Sequence, residues 1–116
     1  TCFLRLEIAR TPDERTRGLM NRPMLDQNHG MLFVYENEAS LKFWMLDTLF
    51  PLDILFLDSK GRVVDIQTMI PQPGVNPESL QVYISGEPAQ FALEVNNGIA
   101  AICGLMIGSI IDLSQI

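Results

Sequence analysis

One histidine, one tryptophan and two cysteines stand in a chain of 116 residues, and each scarcity excludes a chemistry. Hydrolases of the serine or cysteine type need a nucleophile, a base and an orienting group. The sole imidazole, His29, lies in the turn-like stretch Asp26-Gln27-Asn28-His29-Gly30, and no Gly-x-Ser-x-Gly elbow occurs. Catalytic zinc wants about three side-chain ligands, so no metal site is expected. Calcium fares no better, because Asp58-Ser59-Lys60-Gly61 carries a lysine where an ion would want another oxygen. Neither a Gly-x-Gly-x-x-Gly nor a Walker pattern is present, and no cofactor is expected. Positive charge is also short: eight Lys and Arg face fourteen Asp and Glu, for a net charge of -6. An acidic chain is a poor partner for nucleic acid, whose backbone wants a basic face. No apolar run approaches the ~18 residues of a transmembrane helix, so no integral membrane segment is expected.

The two cysteines, Cys2 and Cys103, are too few for a disulfide framework. Cys103, within Ala-Ala-Ile-Cys-Gly-Leu, reads as a small buried hydrophobe. Cys2 can be free, bridged or modified. The chain opens on threonine, a start that a cleaved signal peptide or deliberate trimming would leave. Export to the periplasm or the extracellular space is the expectation, with a cytoplasmic location as the alternative.

What is present reads as one domain of short strands. Leu4, Leu6 and Ile8 alternate with Arg5 and Glu7, a half-buried strand. Thr11-Pro12-Asp13-Glu14 supplies an N-cap, a proline at the first helical position and a capping box, which predicts a helix from Pro12 to about Leu19. Strands are expected at Met31–Tyr35 and Leu41–Met45, with a turn over Glu36–Ser40 between them. Leu52–Leu57 and Arg62–Met69 flank the turn at Asp58–Gly61 and form a hairpin. Pro71, Pro73, Gly74 and Pro77 mark an irregular loop. Further strands are expected at Val82–Ser85, Gln90–Val95 and Ile110–Leu113, with a short helix over Ile99–Cys103. The fold class is therefore mainly β: an antiparallel β-sandwich or partly closed barrel with two short helices. Parallel βαβ units are disfavoured, since so few helices are available as crossovers.

Two local features carry candidate chemistry. Arg10, Arg15, Arg17 and Arg22 cluster against the global charge, either as salt-bridge partners of Asp13, Glu14 and Asp26 or as an anion-binding surface. The stretch Phe43 to Phe56 contains the only tryptophan, the proline break at Pro51, and Asp53 at the mouth of an apolar run. A carboxylate entering a core must be paired or hydrogen-bonded. The structural account of Asp53 is that N–H groups of the preceding corner satisfy it. Alternation places Trp44 and Met45 on opposite faces.

Four blocks occur in order: Arg15-Thr16-Arg17-Gly18-Leu19-Met20-x-Arg22, Gly30-Met31-Leu32-Phe33-Val34, Phe43-Trp44-Met45-x-x-Thr48-x-x-Pro51-Leu52-Asp53-Ile54-x-Phe56, and Leu93-Glu94-Val95-x-x-Gly98. Together they closely resemble domain-of-unknown-function family 192, an uncharacterised bacterial and archaeal family. The resemblance spans Leu4 to Leu113 and implies a compact β-sandwich-like domain, many of whose relatives are exported. It implies no activity. Two departures stand out: Leu46-Asp47 where the family commonly has Lys-Asn, and Gly108-Ser109 where it commonly has Gly-Asp.

The sequence supports first a non-catalytic module binding an unknown small molecule or protein, with a site of Arg22, Trp44, Asp47, Thr48 and Asp53 beside the Pro71–Pro77 loop. A second possibility is an enzyme using Asp53 or Glu94 as general base, with His29 as a candidate helper. A third is a purely structural domain.

Overall fold

A computed structural model describes residues 2–116. Strand β1 (Arg5–Ala9) exposes Arg5 and Glu7 and turns Leu6 and Ile8 inward, following its alternation. Helix α1 (Pro12–Arg17) opens on a reciprocal cap. The Thr11 hydroxyl accepts the Glu14 N–H at 3.1 Å, and the Glu14 carboxylate accepts the Thr11 N–H at 3.0 Å. Gly18, at a φ of 46°, ends the helix in backbone space that favours glycine.

Strand β2 (His29–Ala39) is longer than expected and takes in most of the anticipated Glu36–Ser40 turn. It keeps pairing with β7 (Ala89–Asn96) as far as Ala39–Ala89, across an irregularity after Val34. The Gln90 amide donates to the carbonyls of Tyr35 and Glu36 there, so the polar stretch stays extended. Gly30 is set by the same pairing: a Cβ on it would lie 2.7 Å from the backbone oxygen of Glu94.

Strands β4 (Leu52–Leu57) and β5 (Val63–Met69) form the expected hairpin. The Asp58 carboxylate accepts the N–H groups of Lys60 and Arg62 across its turn, at 2.9 and 3.0 Å. Sheet order is β1-β2-β7-β4-β5, and a separate ribbon pairs β3 (Lys42–Phe43) with β6 (Tyr83–Ile84). The domain is β-rich, and the sheet does not close into a barrel: β1 and β5 remain its edges. Among the described residues all strand pairs are antiparallel but one. β1 and β2 run parallel, which corrects the expectation against a βαβ unit. One helix is enough for one crossover, and α1 lies in the connection between these strands.

Side chains leave the sheet on two faces, and each has its own core. Met31, Phe33, Leu52, Ile54, Phe56 and Ala92 pack under the β3–β6 ribbon and the connection carrying Leu19 and Leu25. Leu32, Leu55, Leu57, Leu93 and Val95 pack under helix α2 (Ile99–Ile102) and the chain that follows it. Covering both faces explains why every residue of β4 is buried. The expected final strand at Ile110–Leu113 is reduced to a single bridge between Arg62 and Ile110. Gly108, at a φ of 98°, turns the chain just before it.

The cysteines are bridged. Cys2 and Cys103 form a disulfide across 101 positions, which overturns the reading of Cys103 as a simple core hydrophobe. The chain before β1 and the end of α2 share one face, where Leu4 and Cys103 both pack, so tertiary structure brings the thiols together. Closing a loop of this size stabilises a fold by about 4 to 5 kcal/mol in the chain-entropy account.

Candidate functional site

Strand β7 is the centre of the sheet, and Glu94 is in its middle, paired laterally with Met31 of β2 and Ile54 of β4. Alternation sends Leu93 and Val95 to the α2 face and Glu94 to the other. There its carboxyl, 5% exposed at the residue level, meets no hydrogen-bond donor among the described residues. Its oxygens are not sealed in, however, because among the described residues no fully buried side-chain polar atom is left unpartnered. They look into a cavity of about 400 Å³. Burial pushes the Glu94 carboxyl up to about 8, since a charge there would lose water and gain no partner.

Aromatic side chains wall the cavity. Phe33 and Phe43 meet edge to face with centroids 5.0 Å apart, and Tyr35 adds a second edge contact to Phe43 at 6.5 Å. Trp44 is 40% exposed and Met45 is buried, so the two face opposite ways as expected, although the strand expected over Leu41–Met45 ends at Phe43. Burial holds the Tyr35 phenol above its ordinary value; Arg15 opposes this shift and Glu94 adds to it. The Arg15 guanidinium stacks 4.6 Å above the Tyr35 ring and donates to the carbonyls of Arg10 and Val34. Arg17 and Lys42 complete the mouth, and both are exposed. Neither joins an ion pair among the described residues, where Arg22 pairs with Glu7 and the His29 ring approaches Asp26. The anticipated bridges to Asp13, Glu14 and Asp26 do not form. Glu14 is occupied by the helix cap, and Asp26 stands 3.9 Å from His29.

The residues nominated from sequence scatter. Trp44 and Thr48 border the cavity. Arg22 pairs with Glu7 on the surface, through Nη2 to Oε1 at 2.8 Å. Asp47 adopts a φ of 51°, which Asp and Asn tolerate better than most residues. Its carbonyl accepts the N–H of Asn21, itself at a φ of 62°, at 2.8 Å. That bond ties the loop after α1 to the corner before β4. Asp53 points to the opposite face of the sheet. Its carboxylate accepts the Asn97 amide at 2.8 Å and the N–H groups of Gly98 and Ala100 at 3.0 and 3.2 Å. The donors thus come from the turn after β7 and not from the preceding corner. Asp53 and Glu94 cannot work as an acid/base pair across one substrate, because the sheet separates them. The Pro71–Pro77 loop does not border the cavity, and neither does His29.

The chain matches the family DUF192, described as "Uncharacterized ACR", over residues 2–113. It belongs to the DUF192 family. Among its relatives, a "UPF0127 protein" of Thermococcus sibiricus is 30% identical over 93% of this chain and 65% of its own length. Another from Thermococcus gammatolerans is 32% identical over 77% of this chain and 53% of its own length. The chain therefore spans less than two thirds of these relatives. Two crystal structures share the fold at a TM-score of 0.79. One, a Sinorhizobium meliloti protein described as a candidate transcription regulator, is 32% identical and matches 90% of this chain and 78% of its own. The other, a Novosphingobium aromaticivorans protein of unknown function, is 33% identical and matches 94% and 74%.

All four DUF192 blocks read in the sequence send residues to the cavity. Arg15 to Met20 come from the first, Phe33 from the second, Phe43, Trp44, Met45, Thr48 and Leu52 from the third, and Glu94 from the fourth; Asp47 does not line it. Glu94 had a sequence signal, a charge inside an apolar run, and the arginine cluster signalled Arg15 and Arg17. For Tyr35 and Lys42 no sequence signal existed.

Proposed function

We propose that this DUF192 domain binds a small molecule in the cavity floored by Glu94. The observation that supports it best is the position of Glu94. An acid at the middle of the central strand, without a donor and facing open space, costs the fold stability that an apolar residue would not. A site for a ligand gives that cost a purpose. Aromatic walls and a volume within the range of small-molecule pockets agree with it. Chemical-shift mapping with a fragment library of mixed charge tests the idea. Perturbations should gather at the Trp44 indole and Thr48, and the exposed substitution Thr16→Trp, which plugs the mouth, should abolish them. Perturbations elsewhere only, or none, would sink the proposal.

One observation favours a catalytic version of the same site: a carboxyl titrating near 8 suits proton exchange around neutral pH. Conversion of a bound compound, lost in Glu94→Gln with affinity kept, would move the assignment from binding module to enzyme. Recovery of bound compounds unchanged supports the module. The regulator description belongs to the Sinorhizobium neighbour, and the net charge of -6 here does not favour binding to a nucleic-acid backbone.

A further inference from the structure

The charges around the cavity are distributed unevenly. Of the eight basic residues in an acidic protein, Arg15, Arg17 and Lys42 stand at one mouth, while the floor holds a single carboxyl. Arg15 is partly spent on the Arg10 and Val34 carbonyls and on Tyr35. Arg17 and Lys42 join no ion pair among the described residues, Arg17 feeling only the charge of Glu14 nearby, and they reach the cavity from different elements, α1 and β3. Between mouth and floor the walls are aromatic and aliphatic. We propose that the cavity takes a small organic anion whose carboxylate or phosphate head meets Arg17 and Lys42, whose flat apolar body lies along Phe43 and Trp44, and whose far end accepts a hydrogen bond from Glu94.

The proposal rests on the binding role assigned above and adds the ligand's chemical class. Guanidinium and ammonium groups at an opening attract an anion from solution, and low-dielectric walls focus that field. Rings of aromatic side chains suit a planar body. At the floor, burial keeps the proton on Glu94 near neutral pH, so it offers an O–H and selects an acceptor such as a carbonyl oxygen. The other titratable or charged groups facing this space are Arg15 and Arg17 from α1, Tyr35 from β2 and Lys42 from β3; β4 presents Leu52.

Four matched probes test it: 4-acetylbenzoate, 4-acetylbenzyl alcohol, 4-acetylbenzylamine and 4-isopropylbenzoate, titrated by NMR at pH 7. The acetylbenzoate should bind about fivefold or more tighter than the alcohol or the amine, the scale of a partly exposed charge contact. The double variant Arg17→Gln/Lys42→Gln should erase that preference and leave the alcohol unchanged. Glu94→Leu should remove the preference for the acetyl over the isopropyl compound. Ionising Glu94 removes its donor, so acetylbenzoate affinity should fall as pH rises through about 8, and Glu94→Gln should flatten that fall. Equal binding of the three acetyl probes within the cavity overturns the anion class and leaves the binding role standing. Silence of all four probes at the cavity, together with failure of the mixed library there, overturns both.

Discussion

Asp53 and Glu94 lie one register step apart on neighbouring strands, Asp53 opposite Val95 and Glu94 opposite Ile54. They are buried alike, at 6% and 5% exposure. One accepts three hydrogen bonds from the turn that follows β7, and the other accepts none among the described residues. Equal burial thus produces opposite roles. Asp53 clamps a turn and keeps its donors satisfied; Glu94 is held in a state that favours its proton and faces a cavity. What separates them is the direction of the side chain, because adjacent positions along a pleated sheet face opposite layers. The α2 layer supplies donors, since a helix start exposes N–H groups. The ribbon layer supplies rings and, at its edge, cations.

The largest effect is expected from breaking the clamp. Asp53→Ala strands the Gly98 and Ala100 N–H groups and the Asn97 amide, and should cost about 3 to 5 kcal/mol in urea unfolding. A cost under about 1 kcal/mol would show that water satisfies those donors as well as the carboxylate does.

Removing the ionisable group on the other face should act in the opposite direction. Folded Glu94 holds its proton up to about 8, whereas the unfolded chain releases it near 4.5. Between those values the folded state binds more protons, so stability falls as pH rises from about 4.5 and levels off above about 8. Glu94→Gln should flatten that slope and be more stable than the parent at pH 8, by up to roughly 4 kcal/mol. A parent whose unfolding midpoint does not move over this pH range would mean that a donor reaches Glu94 in solution.

The smallest effect should come from trimming one donor of the clamp. Asn97→Ala leaves Asp53 its two backbone N–H groups and should cost about 1 kcal/mol. A loss as large as that of Asp53→Ala would shift the weight of the clamp onto the Asn97 amide.

Local signals placed most of the elements. The Thr11–Glu14 cap marked α1, the Asp58–Gly61 turn marked the β4–β5 hairpin, and alternation put Trp44 and Met45 on opposite faces, because each depends on neighbours a few positions away. Element ends were less legible where pairing partners decide them. β2 runs on to Ala39 because Ala89 and Gln90 meet it there, and Ile110–Leu113 stays irregular because it finds one bridge. The site was legible in pieces, an arginine cluster, an aromatic corner and an acid in an apolar strand, without a reason to join them.

From the sequence alone followed a single β-rich domain, its acidic balance, its caps and hairpin, and the four blocks that label it as DUF192, all properties of composition and short-range pattern. Tertiary structure decided the parallel β1–β2 pair, the bridge between Cys2 and Cys103, and which carboxyl faces the cavity. Those outcomes depend on which distant strands become neighbours and in what register. A shift of one residue would exchange the faces of Asp53 and Glu94.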